Sequence, residues 1–400
     1  MRILFANWHR SVVGGAEAYV RLLLGSLPPR GHAVALLHEY EAAAGSPTLD
    51  GGADVPRWCV SALGADKAAE RVRAWRPDLV FVHGLESPAL EALLIEDRPS
   101  ALFTHGYYGT CGTGSKRFAF PAMRPCSRRF GAACLAIHYP RRCGGLSPAT
   151  MLTDFRRQAR RHALLTRYGA VITASEHMRT EMVRHGVAAG RAHSVPMPAC
   201  AVAPDSRAPA SRPATGRVAL LGRLVPEKGG HLLVPALARA SAALGRPLSL
   251  LVAGEGPERA RIAALARARG VNAQFTGWLE GDALARELRA ADLVAAPSAW
   301  PEPFGLVGVE AGGVGVPAVG FAVGGIPEWL RPGETGELAP ADPPAEGPLA
   351  DAIVRALRDP AHHQQLREGA WRFAQAHTPQ RHLGALEPVL VEAARAGIRG

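Results

Sequence analysis

Apolar runs of strand length recur along the chain, separated by longer stretches with helical patterning. In the first half they are Ile3 to Trp8, Ala33 to His38, Leu79 to His83, Ala101 to His105 and Ala170 to Ala174. The alternation predicts βαβ units and a parallel sheet. A Pro/Ala/Ser-rich segment, Ala199 to Gly216, then interrupts the pattern. It restarts with Val218 to Leu221, Leu248 to Ala253, Gln274 to Thr276, Leu293 to Ala296 and Ala318 to Phe321. Two helical stretches, about His362 to Ala376 and Arg381 to Ala396, close the chain with Pro379 between them. The pattern divides the chain into a first α/β domain (1–204), a linker (205–216), a second α/β domain (217–375) and a C-terminal helix (376–400) that crosses back to the first domain.

The length of 400 residues suits two domains, each large enough to bury its own core. The apolar start is short and is cut by His9 and Arg10, so no signal peptide is read. The longest uncharged stretch, Ala311 to Pro327, is rich in Gly and Pro and does not span a membrane. These features place the protein in the cytoplasm. The net charge of +11 is uneven: residues 1–200 hold 25 Lys/Arg against 15 Asp/Glu, and the remainder 21 against 20. Between Lys116 and Arg184, 14 basic residues face only Asp154, Glu176 and Glu181. A solvated helix face accounts for any single arginine, while the cluster points to an anionic partner: lipid headgroups, with peripheral contact at the inner membrane face, or a phosphorylated or lipid-linked acceptor; such a face would also attract nucleic acid, which is not expected here. The six cysteines contain no C-x-x-C pair, and in a cytoplasmic protein they read as free thiols. Whether Cys111, Cys126, Cys134 and Cys143 hold a metal is left open by their spacing.

Ligands of doubly wound sheets bind beyond the carboxyl ends of the strands. In the second half, Gly222 and Arg223 follow one strand, with Lys228 five residues after Arg223. Gly254 and Gly256 follow the next strand, and WPEPFGLVGVEAGGVGVP begins at Trp300. Arg223 can grip a phosphate through two parallel bonds, and Lys228 is a compact charge. Lys228 is one of only three lysines, so its position beside a Gly pair hints at a chemical requirement. Glu302 and Glu310 can accept hydrogen bonds from hydroxyls. The amides of Phe304, Gly305 and Leu306 stand where a helix begins, a place that favours phosphate. In the first half, Gly14, Gly15 and Glu17 follow the first strand, and His83 and His105 each end a strand. A histidine there can bond a sugar hydroxyl or handle a proton near neutral pH. No D-x-D triplet occurs, so a carboxylate-bound divalent metal is not indicated.

Taken together these residues resemble the retaining glycosyltransferases of family four, within the glycogen synthase-like superfamily. The resemblance rests on GGAE (Gly14 to Glu17), GRLVPEKG (Gly222 to Gly229), AGEGPE (Ala253 to Glu258), FTGW (Phe275 to Trp278), EPFGLVGVEAGGVGVP (from Glu302) and GGIPE (Gly324 to Glu328). It implies the GT-B fold, two facing Rossmann-like domains each with a doubly wound parallel sheet, and transfer of a sugar from a UDP- or GDP-sugar to a hydroxyl acceptor without a metal or other cofactor.

By the resemblance, Arg223 and Lys228 hold the diphosphate with Gly222, Gly254 and Gly256 nearby, and Gly277, Trp278 and Leu279 hold the base. Glu310 takes the ribose, and Glu302 with Phe304, Gly305 and Leu306 takes the transferred sugar. His105 approaches that sugar from the first domain, and Gly15 lies near the phosphates. Gly14, Glu17, His83 and Tyr107 stand on the acceptor side, under a Cys- and Arg-rich insertion at about 107–148. The departing phosphate serves as base. Many relatives carry His-Asp where this chain has His105-Gly106, which leaves the acceptor open. The alternatives are a nucleotide-sugar epimerase of the same architecture and an inactive nucleotide- or glycan-binding homologue. An NAD-dependent oxidoreductase would use Glu39 as its ribose acid, but the first βα turn lacks the glycine spacing it needs.

Overall fold

The computed structural model describes residues 1–43, 45–50, 52, 54–96 and 98–396. In chain order its strands are β1 (Arg2–His9), β2 (Ala33–Tyr40), β3 (Arg57–Cys59), β4 (Leu79–Gly84), β5 (Ser100–Thr104), β6 (Arg117–Phe118), β7 (Arg124–Pro125), β8 (Ala170–Thr173), β9 (Ala192–Ser194), β10 (Arg217–Leu221), β11 (Ser249–Ala253), β12 (Asn272–Gly277), β13 (Leu293–Ala296), β14 (Ala318–Phe321) and β15 (Gly336–Ala339). Each of the ten expected strands is present. β3, β6, β7, β9 and β15, of two to four residues, had no strand-length apolar run to announce them.

The chain divides into two compact units. The first comprises Met1–Lys116, Arg128–Pro196 and the chain from His382 onward; the second comprises Arg117–Ser127 and Met197–Arg381. Two limits differ from those the sequence suggests. The ribbon of β6 and β7 clusters with the second unit, where Arg117 forms an ion pair with Glu227. Residues from Met197 also belong there, Ala199 donating its amide to the His377 carbonyl at 3.2 Å.

The first unit holds a seven-stranded parallel sheet in the order β3-β2-β1-β4-β5-β8-β9. Parallel strands covered on both faces read as unbroken apolar runs, and Ile3, Leu4, Phe5 and Ala6 of β1 are fully buried. The C-terminal helix Pro379–Ala396 buries Leu383, Leu386, Leu390 and Ala393 at three- and four-residue spacing. Pro379, expected as a break, is that helix's first residue, where its missing N–H costs nothing. Within the unit, Arg30 and Glu387 pair through two bonds of 2.5 and 2.6 Å.

The second unit holds a six-stranded parallel sheet in the order β12-β11-β10-β13-β14-β15. Strand order reverses between β1 and β4 in the first sheet and between β10 and β13 in the second, and the loops beyond these points flank a crevice. Among the described residues no helix is long and apolar enough to cross a membrane.

Two glycines fix the second crevice. Gly229 (φ +70°) ends the loop after β10 so close to the loop after β13 that a Cβ would lie 1.8 Å from the Pro297 carbonyl oxygen. Gly254 would place a Cβ 1.9 Å from the Gly222 carbonyl oxygen, and Gly222 donates its amide to the Ala253 carbonyl at 3.0 Å. Gly245 shares the left-handed backbone (φ +65°) but has open space around it. Gly245→Ala should therefore cost only the backbone term of about 1 kcal/mol, whereas Gly229→Ala adds a backbone clash and should cost roughly 3 kcal/mol or more. Urea unfolding of both variants measures the difference; equal losses would contradict the close approach.

Candidate active site

Loops flanking the switch point of the second sheet bring Lys228 and Glu302 together. Lys228 Nζ donates to Glu302 Oε1 at 2.8 Å and to Oε2 at 2.9 Å. Ser298 Oγ and Trp300 Nε1 also donate to Oε2, at 2.8 and 2.9 Å. Glu302 is 8% exposed. Burial alone would push its carboxyl up, but Lys228 and the two neighbouring donors outweigh it and hold the group below the usual carboxylate range. The carboxylate stays ionised in a site that would otherwise neutralise it. The backbone is held too: the Gly325 amide donates to the Glu302 carbonyl at 2.7 Å. A small pocket at this point is lined by Lys228, Pro297, Ser298, Glu302, Gly305 and Ile326 among others.

Arg223, expected on the diphosphate, is exposed, and its guanidinium has no hydrogen bond or ion pair among the described residues. Gly222, Gly254 and Gly256 sit in the same crevice, but the first role of Gly254 and Gly256 is to let the loop after β11 run against Gly222 and Leu224. Gly277 ends β12, Leu279 is half-buried, and Trp278 is 40% exposed with its Nε1 donating to Glu280 at 3.0 Å. The helix expected after the Phe-Gly turn spans Val307–Gly313, so Phe304 and Gly305 lie before it and Leu306 is its N-cap. Glu310 lies on that helix and accepts the Ala201 amide at 3.1 Å. Burial pushes its carboxyl up to about 7, against the opposing pull of the Ala201 and Cys200 amides.

The first unit holds a cavity of about 240 Å³ at the carboxyl ends of β4 and β5. His83 and His105 line it, and His83 Nδ1 lies 3.1 Å from His105 Nε2. The His83 ring stacks on Phe5 with an interplanar angle of 6°, and its Nε2 is buried without a partner among the described residues. Burial drives His83 well below the ordinary imidazole range, and His105 down to about 3. Burial disfavours the charged form of both rings, which bears on proton handling and leaves the other expected role, hydrogen bonding, in place.

Tyr107, expected on the acceptor side, is fully buried, with its hydroxyl 3.0 Å from His177 Nε2. Its neighbour Tyr108 lines the cavity instead and is 49% exposed. Gly14 is the extended N-cap of the helix Gly15–Ser26, and Glu17 lies in that helix's first turn. Glu39 accepts the amides of Glu86 and Ser87, the latter at 3.1 Å, so it is spent on the loop after β4 rather than standing ready for a ribose.

The basic runs Arg156-Arg157 and Arg160-Arg161 lie on the helix Pro148–Leu164, which Ser147 caps. Helical geometry splits each pair. Arg157 and Arg161 line the cavity with Asp154, at spacings of three and four residues, while Arg156 and Arg160 are exposed. Arg161 donates to the carbonyls of Leu85 and Glu86 and faces Glu91 at 3.8 Å. Lys116 is buried against Glu181. Neither Trp8, Tyr108 and Asp154 at the cavity nor Ser298 and Trp300 at Glu302 were singled out from the sequence; only the strand-end position of Trp8 and the proximity of Ser298 and Trp300 to Glu302 signalled them.

None of the six cysteines is joined in a disulfide. Among the described residues the one group with metal-ligand spacing is His38, Glu41 and Cys59, away from the Cys-rich insertion, and Arg10 already pairs with Glu41 at 3.2 Å.

Two family models match the chain. One described as "Glycosyl transferases group 1" covers residues 205–372, and one described as "Glycosyltransferase Family 4" covers residues 13–143. The chain is 28% identical over 454 residues to a glycogen synthase of Mycobacterium tuberculosis, covering 96% of this chain and 95% of that protein. It is 42% identical over 131 residues to a D-inositol 3-phosphate glycosyltransferase of Rhodococcus erythropolis, covering 30% and 29% of the two. In fold it is similar to Anabaena HepE in complex with UDP-glucose, with a TM-score of 0.65, 19% identity and 100% of both chains covered.

Lys228→Ala should destabilise the second unit by about 2 kcal/mol, less than the ~3–5 kcal/mol of a fully buried broken pair because Lys228 is partly exposed; unchanged denaturant stability would remove the pair from this account. The depressed histidines carry a pH signature. Below the ordinary value of 6.5 the unfolded chain binds protons that the folded chain refuses, so their contribution to stability falls as pH drops from 6.5 toward 3. His105→Gln should flatten the loss of melting temperature between pH 6.5 and 4.5, and identical slopes for variant and parent would contradict the burial assigned to His105.

Proposed function

The chain is a family-four-like glycosyltransferase of the GT-B fold, and on that premise we propose that it moves a sugar from a nucleotide diphosphate donor to a hydroxyl acceptor with retention of anomeric configuration. One observation carries the reading: Lys228 and Glu302 meet at the switch point of the second sheet, a cation and a carboxylate held ready where a phosphate and a polyhydroxylated ring would adjoin. The HepE complex contains UDP-glucose, which makes UDP-glucose the first donor to try, with GDP-sugars next.

Arg223, without a partner among the described residues, grips the diphosphate, and Lys228 turns from Glu302 to share its charge with the departing oxygen. Charge stabilisation at the leaving group is where preorganised donors lower a barrier most. Released from Lys228, Glu302 accepts hydrogen bonds from the sugar hydroxyls, supported by the amides of Phe304, Gly305 and Leu306. Trp278 and Leu279 receive the base. Glu310 receives the ribose beside the Ala201 and Cys200 amides, an interaction that weakens as pH falls below about 7 and the carboxyl takes up a proton. The acceptor oxygen bonds to the anomeric carbon as the bond from that carbon to the diphosphate breaks. The acceptor's proton passes to the departing phosphate oxygen, yielding a glycoside and a nucleoside diphosphate. The low basicity of His105 supports this assignment of the base. Arg223 and Lys228 supply the positive charge that a metal would otherwise bring. An epimerase needs no acceptor, and the cavity of the first unit favours transfer over that alternative.

Arg223→Ala should weaken nucleoside diphosphate binding at least tenfold by calorimetry, and Glu302→Gln should keep that binding while losing transfer by 100-fold or more, on the order of the ~2.7–4 kcal/mol of a lost transition-state contact. A fully active Glu302→Gln variant would take Glu302 out of the site. Transfer should persist in EDTA; its loss, restored by magnesium, would overturn metal independence.

A further inference from the structure

The cavity of the first unit contradicts what the chain's charge suggests about the acceptor. Its lining contains three carboxylates, Glu86, Glu91 and Asp154, against two guanidiniums, Arg157 and Arg161. Both guanidiniums are already engaged. Arg161 is tied to the Leu85 and Glu86 carbonyls and to Glu91, and Arg157 pairs with Glu86 at 3.3 Å. Glu91 is itself buried and accepts the Tyr168 hydroxyl at 2.6 Å. Asp154 has no hydrogen bond or ion pair among the described residues, so the uncompensated charge in the cavity is negative. The two lining histidines are neutral and add no cation. A phosphate would bring like charge into a partly desolvated space with no spare cation to meet it.

The rest of the lining suits a different ligand. Trp8 and Tyr108, 39% and 49% exposed, offer flat apolar surfaces, and large aromatics left accessible in a concave site serve as platforms for amphipathic rings. The C–H face of a sugar or cyclitol is such a surface, while its hydroxyls donate to a free carboxylate and to an imidazole nitrogen.

Resting on the transferase reading above, we propose that this cavity binds a neutral, hydroxyl-rich acceptor ring, laid against Trp8 and Tyr108 and hydrogen-bonded to Asp154, and that it discriminates against phosphorylated acceptors. The excess of Lys and Arg in the first half of the chain is then a property of its outer surface, where Arg156 and Arg160 point, and not of the acceptor site.

The test is calorimetry on the full-length chain with UDP present. The panel pairs methyl glucoside, methyl N-acetylglucosaminide and myo-inositol with their monophosphates. At least one neutral ligand should bind tenfold or more tightly than its monophosphate. Tyr108→Ala and Asp154→Asn should each weaken that binding about tenfold, and Asp154→Lys should invert the preference; thermal unfolding checks that each variant is folded. Tighter binding of the monophosphates overturns the proposal, as does neutral binding indifferent to Tyr108→Ala and Asp154→Asn, or no binding by any panel member at millimolar concentration. UDP affinity measured on the same samples keeps the two readings apart: its absence counts against the transferase assignment, while the neutral-to-phosphate ratio tests the cavity alone.

Discussion

A carboxylate that must remain ionised while nearly excluded from water is the constraint around which the second unit is arranged. Glu302 cannot hold its charge by itself, because desolvation favours the neutral acid. The loop after β10 therefore carries Lys228 to it, and the loop after β13 supplies Ser298 and Trp300. That meeting requires the two loops to touch. The contact in turn explains Gly229, whose missing Cβ would strike Pro297, and the Gly325 amide on the Glu302 carbonyl. Fold, glycine pattern and site chemistry follow from one ion pair at one switch point.

The first unit meets the opposite problem. It brings Arg161, Glu91 and Glu39 into low-dielectric surroundings, and each is matched by a specific partner: backbone carbonyls for Arg161, the Tyr168 hydroxyl for Glu91, two amides for Glu39. Such a network fixes the loop after β4 and, among the described residues, leaves the Asp154 carboxylate of the lining without an ion pair. Charge that looks abundant in the sequence is already satisfied by the fold.

The long strands were legible because parallel strands buried on both faces carry continuous apolar runs, as β1 does from Ile3 to Ala6. β9 and β15 were not, since three or four residues at a sheet edge leave no periodicity to read. The same limit applied to the sites. Glu302, Lys228 and Arg223 could be singled out by residue type and loop position, but whether Lys228 faced a phosphate or a carboxylate depended on a contact spanning 74 residues. Tyr107 and Tyr108 are adjacent and chemically alike, and only the packing of Tyr107 against His177 decides which one meets the cavity. The downward shift of His105 comes from desolvation by the surrounding fold that no local motif records.

The central claim is that the Lys228–Glu302 pair marks the place where a donor's diphosphate and sugar meet. A crystal structure of the full-length chain with UDP bound tests it most directly. The account predicts a phosphate oxygen within hydrogen-bond distance of Lys228 Nζ, with at least one Glu302 oxygen released. A diphosphate bound away from this loop, with both Lys228–Glu302 bonds intact, would contradict it.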